Sequence, residues 1–262
     1  MDNHSIIIGG LIITALSVAF YNVYRLWEKA KYESTITIAA RQIIHKLDNL
    51  AEDGLEYNKV NPNDFFGLDL TYYSNMTNEL VELGYKLIGD YENVKVNSRN
   101  PSSKTFLRWL ISPDSYWVVS VYHFLKTELG ISLKLIEVET ELSDGIFLTT
   151  SNAVKASSIA KPDRIRNVYS SNSSTTELLS IHMNRIKEYL SINNVKPIML
   201  FNDFDVINLQ KRQHVIKSDF RKNISDEIIR KEIFAISGGK IREDIVKNVT
   251  DRILKIRNKF ND

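Results

Sequence analysis

The chain has no cysteine, which removes thiol catalysis and every cysteine-based zinc site and agrees with a reducing compartment. Proline and glycine are sparse, at five and ten residues, so long disordered linkers are not expected. Neither sign of charge dominates. Lys and Arg number 34 against 32 Asp and Glu, and a formal net charge of +2 gives no field that would recommend nucleic acid as a partner. Catalytic signatures are missing too. There is no HExxH and no GxSxG, and His45, His123, His182 and His214 are scattered without metal-ligand spacing. Ser237-Gly238-Gly239-Lys240 lacks the upstream glycine and the Lys-Ser/Thr ending of a phosphate loop, so it reads as a turn between helices. No cofactor and no metal centre is expected.

Charge is also absent from residues 6–23, IIIGGLIITALSVAFYNV. At roughly 18 residues this run is long enough to cross the hydrocarbon layer as a helix. The leading MDNHS carries no Lys or Arg, and bulky Tyr21, Tyr24 and Trp27 occupy the place where a signal peptidase needs small residues. An uncleaved anchor is therefore expected, with its aromatics at headgroup level and the lipid bilayer as its partner through residues 6–23. Arg25, Lys29, Lys31, Arg41 and Lys46 all follow the run, so the N-terminus belongs outside and the remainder in the cytoplasm. Gly10, Thr14, Ser17 and Tyr21 share one helix face, and such small residues permit a homodimer through the anchor.

Three segments follow from this reading: an anchor at 1–24, a juxtamembrane amphipathic helix at 25–53, and an α+β domain at 54–262. In the second, Ile36, Ala40, Ile43, Leu47 and Leu50 fall on one face. That face either pairs two copies as a stalk or packs on its own domain, and the latter is expected because about two heptads are too few. In the third, Thr77 caps a short helix that Gly84 ends. Tyr85–Tyr91, Thr105–Ile111, Tyr116–Phe124, Ser132–Leu142 and Ile146–Thr150 then have strand composition. Asp144-Gly145 marks a two-residue hairpin between the last two, with both turn residues at positive φ. Helices resume at Ser174 or Thr175, over Phe204–Phe220, over Ser225–Ala235 and from Ile241 onward. Strands followed by helices give an α+β class with an antiparallel sheet of about four to five strands and several helices.

Candidate chemistry is confined to a few side chains. Glu137, Glu139 and Glu141 alternate along a strand, so their carboxylates share a face that either holds a divalent cation or is the wet side of the sheet. The wet face is expected. Asp203 and Asp205 flank Phe204 and suit a metal or an acid–base pair, but Asp203 also suits the N-cap of the following helix, and the cap is expected. His182 falls on the apolar side of its helix, where a hydrogen-bonded core histidine is expected. Lys211, Arg212, Lys217, Arg221 and Lys222 cluster in one helix, as a solvated face or a contact with anionic lipid.

The segments LKLIEVETELSDGIFLTTSN, a loop containing Pro162, and LLSIH resemble pieces of bacterial membrane-anchored proteins of no assigned activity. The resemblance covers Leu133 to His182 and implies a bacterial single-pass protein, with no functional residues. The expected role is a non-catalytic interaction or accessory domain tethered to the inner membrane. A membrane-bound enzyme with a carboxylate site and a signalling module coupled to dimer state are the alternatives.

Overall fold

The computed structural model describes residues 22, 25–26, 28–41, 43–44, 55–99, 101–126, 130–153, 162–236 and 242–258. Apart from Asn22, the span expected at 6–23 lies outside them, with the dimer face of Gly10, Thr14 and Ser17. His45, Leu47, Leu50 and the 237–240 turn lie outside as well. Among the described residues no helix is long and apolar enough to cross a membrane.

The runs with strand composition become β2 (Lys86–Asn93), β3 (Leu107–Ile111), β4 (Val118–Lys126), β5 (Ile131–Glu141) and β6 (Phe147–Ser151). With β1 (Tyr57–Lys59) and β7 (Ile165–Tyr169) they form one seven-stranded sheet in chain order. All neighbours are antiparallel except β6 and β7, which are parallel. The α+β class stands, whereas the expected antiparallel sheet of about four to five strands is too small. β1 is three residues long, too short to show a period, and β7 is an edge strand with Arg166 and Asn167 at its centre.

Helix ends follow local capping. α2 (Leu70–Glu82) starts at Asp69, whose carboxylate accepts from Tyr72 N at 3.0 Å. Thr77 is therefore not the cap expected of it; it sits mid-helix and donates its hydroxyl to Tyr73 O at 2.7 Å. The helix ends at Gly84 (φ +86°), where Gly84 N donates to Val81 O and Tyr85 N to Leu80 O, the paired bonds of a Schellman turn. After the short α3 (Val94–Arg99), α4 (Thr175–Ile192) opens with a reciprocal capping box between Ser174 and Glu177. α5 (Asp203–Lys222) is capped by Asn202, which accepts from Asp205 N at 3.1 Å. That corrects the reading of Asp203 as the cap by one residue.

Alternation sorts side chains to two faces. Leu110, Val119, Val121, Ile136, Val138 and Leu148 pack with Tyr73 and Leu80 of α2 and with Leu178, Leu179 and Ile186 of α4. Tyr91, Trp109, Ile111, Val118, Phe147 and Ile165 face the other way and pack with Val206 and Leu209 of α5. The β5–β6 turn fixes this register. Leu142 N donates to Ile146 O at 2.9 Å and Gly145 N to Leu142 O at 2.8 Å, and Gly145 has φ +77°. Asp144 has an ordinary negative φ, so the loop is a three-residue turn closed by a left-handed glycine, not the expected two-residue form.

Two compact units divide the chain, one of residues 51–223 with the whole sheet and α2–α5, the other of residues 1–50 and 224–262. The second contains α1 (28–41), α6 (Asp226–Ile236) and α7 (Glu243–Asn258). Within it Ile36 and Ala40 of α1 and Ile44 just after it are buried, Asn248 Nδ2 donates to Tyr32 Oη at 3.0 Å, and Arg252 pairs with Glu33. The apolar line of α1 thus packs inside its own unit at a spacing of four, and Ile43 is only partly buried.

Candidate functional site

β5 places Glu137, Glu139 and Glu141 on the face covered by α5, and the cover changes their character. Glu139 is 2% exposed and Glu141 5%, so this is not the wet face that alternation suggested. The helix that covers them presents polar side chains inward at i, i+2 and i+3 beside its apolar Val206 and Leu209. Gln213 Nε2 donates to Glu139 Oε1 at 2.7 Å, and Gln210 Nε2 donates to Glu139 Oε2. Arg212 grips Glu141 through Nε and Nη2, at 2.9 and 2.6 Å. Lys217 Nζ in turn donates to Gln213 Oε1. The basic stretch of α5 is consequently not a uniform surface patch, since Arg212 and Lys217 are spent on this seam.

The negative charge is felt by the tyrosines beside it. Burial pushes the Tyr122 phenol well above its ordinary value, and Glu137 and Glu139 push it further. Tyr57 is raised by burial first and then by Glu139. The carboxylates are acceptors with their donors in place, and among the described residues no set of three His, Asp or Glu is arranged to hold a metal ion.

Asp203 and Asp205 are brought together by the start of α5 and are used there. Tyr91 Oη donates to Asp203 Oδ2 at 2.8 Å, and its phenol is pushed up to about 12 by burial and then by that bond. Phe201 N donates to Asp205 Oδ2 at 2.9 Å. Both aspartates therefore pin the helix start to β2 and to the incoming chain. That incoming segment runs beside the end of β5, where Ile198 N donates to Glu141 O and Leu200 N to Ser115 O, each at 2.8 Å. Leu200 is buried, whereas Met199 is exposed, and Phe201 and Phe204 are 56% and 68% exposed.

His182 sits on the opposite face, where its ring nitrogens lie 2.9 Å from the hydroxyls of Thr140 and Thr150. Burial, with a smaller push from Arg185, lowers its pKa to about 3, so the ring is neutral. Arg185 Nη1 donates to Thr149 O and Thr150 Oγ1, and Nη2 to Arg166 O. The core-histidine reading matches this geometry. Arg185 was not singled out in the sequence, although it lies three residues after His182, on the same side of the helix. His123 is a second buried, neutral histidine. Asp69 N donates to its Nδ1 at 3.0 Å, which places the ring proton on Nε2 beside Ser132 Oγ.

Comparison with family models, curated proteins and solved structures yields no match, so the functional reading rests on these contacts.

Proposed function

We propose that the chain is a single-pass protein of the bacterial inner membrane whose α+β domain is a non-catalytic, cytoplasmic interaction module. One observation carries this reading. The buried acids Glu139 and Glu141, the aspartates at the start of α5, and His182 are all engaged in holding the scaffold, while Met199 and Phe201 of the segment leading into α5, and Phe204 in its first turn, are exposed. Exposed aromatics on a firmly anchored element are the kind of group that carries binding energy in interfaces. The anchor and its orientation rest on the charge-free run at 6–23 and the five basic residues after it.

A photo-crosslinking residue in place of Phe204, in the full-length protein in its native membrane, tests the role. A discrete adduct that disappears on adding Phe201→Ser supports a docking surface here. The same reporter giving no adduct, or an adduct indifferent to Phe201→Ser, rules the surface out. A fusion after Asp262 tests topology: cytoplasmic reporter activity is expected, and periplasmic alkaline phosphatase activity would reverse the orientation.

A further inference from the structure

The arginines that reach the sheet are not treated alike. Arg108 is met by both carboxylate oxygens of Asp90, at 2.7 and 2.9 Å, and Arg212 is met by Glu141. Among the described residues, by contrast, none of Arg164, Arg166 and Arg185 forms an ion pair. Arg164 and Arg166 flank Ile165, whose side chain packs on the α5 side, so both face the α4 side at the β7 edge. Arg185 Nη2 donates to Arg166 O at 2.7 Å. The Arg166 guanidinium carbon stands 5.0 Å from the centre of the Tyr189 ring, one turn beyond Arg185 on α4. Two guanidiniums therefore share a single turn of the helix. Burial, and then the charge of Arg166, lower the pKa of Arg185.

Both cations are held in place. Thr149 O, Thr150 Oγ1 and Arg166 O fix Arg185, and the Tyr189 ring, whose hydroxyl donates to Asp144 Oδ2 at 2.8 Å, supports Arg166. These contacts leave Arg185 Nε and the whole Arg166 fork without an acceptor among the described residues. Acids are close by. Asp144 is engaged by Tyr189, and Glu188, one turn from Arg185, pairs with neither arginine. Arg164, whose Nε donates to Gly145 O at 3.1 Å, adds a third cation at the Asp144 end. A carboxylate suits one fork, as Asp90 suits Arg108. A phosphate group offers several terminal oxygens and a charge of about −2, enough to serve two forks at once. We propose that Arg166 and Arg185 form a binding site for the phosphate group of a phosphomonoester, with Arg164 as a cation at its rim. The site lies on the α4 face and does not depend on the docking role of Phe201 and Phe204. A soluble phosphoester and the headgroup of phosphatidic acid share this chemistry, and the test separates them.

Full-length protein in a nonionic detergent is titrated calorimetrically with glycerol phosphate, with acetate as the carboxylate control. Wild type is expected to bind the phosphoester saturably and to show no binding of acetate over the same concentrations. Arg166→Gln, which changes an exposed side chain, should weaken binding about tenfold or more while thermal melting stays as in wild type. Arg185→Lys keeps the charge but loses the fork, and should weaken binding as well. Repeating the wild-type titration in micelles doped with phosphatidic acid identifies the source. Suppressed binding points to a lipid headgroup, and unchanged binding to a soluble ester. The proposal is overturned if undoped micelles show no saturable binding of glycerol phosphate, if acetate binds as tightly, or if Arg166→Gln binds like wild type.

Discussion

The two faces of the sheet are buried with opposite chemistry. Beneath α2 and α4 the interior is aliphatic and aromatic, and its buried histidines, His182 and His123, are uncharged and each bonded at both ring nitrogens. Beneath α5 the interior carries two carboxylates, held by the amides and guanidinium of one helix. A neutral, satisfied group costs a core little, whereas a buried carboxylate is tolerable only while its donors stay in place. The difference makes α4 a helix docked by area and α5 a helix docked by pairing.

Removing the charge on the α5 side should have the largest effect. Glu139→Ala leaves the Gln210 and Gln213 amides facing an apolar gap, and a loss of about 3 kcal/mol in denaturant unfolding is expected. An unchanged midpoint would mean that the seam is wet and the pairing idle.

On the other face acid, not mutation, is the sharper probe. His182 has a folded pKa of about 3 against an ordinary 6.5, so between those values the unfolded chain binds the extra proton. Stability from this group is present above pH 6.5 and is lost as pH falls toward 3, by about 2 kcal/mol between pH 6.5 and 5. His123 is shifted the same way by burial and adds to the slope. His182→Gln should flatten the profile over that window. A slope identical to wild type would place the titrating group elsewhere.

The turn that assigns residues to faces can be strained directly. A Cβ on Gly145 would run into the Arg164 guanidinium, and φ +77° disfavours a branched side chain besides. Gly145→Val should cost about 1–2 kcal/mol by thermal unfolding. Melting like wild type would show that the loop re-forms without cost. The smallest effect is expected at Lys134, which lies on β5 but pairs with Asp69 in partial exposure. Lys134→Ala should change stability by under about 0.5 kcal/mol, and a larger loss would erase the contrast with Glu139 on the same strand.

Strand composition along Lys86–Ser151 shows most of the sheet in the sequence, because runs of β-branched, aromatic and aliphatic residues stand out and turns separate them. The same logic placed Glu137, Glu139 and Glu141 on one face and then misjudged its environment. Three acids at period two mark a solvated side unless a helix covers it, and the covering helix lies some seventy residues downstream. Its inward line mixes Val206 and Leu209 with Gln213, too polar to announce a buried face. Asp203 was misread by one position because Asn202 and Asp203 both suit a cap, and geometry alone decides between them.

A double-mutant cycle on Glu139→Ala and Gln213→Ala, measured by denaturant unfolding of the full-length protein, bears most directly on the claim that α5 is docked by pairing to buried carboxylates. A coupling energy of about 1–3 kcal/mol is expected, because each partner's loss makes the other's contribution void. Additive single effects, with coupling near zero, would contradict it.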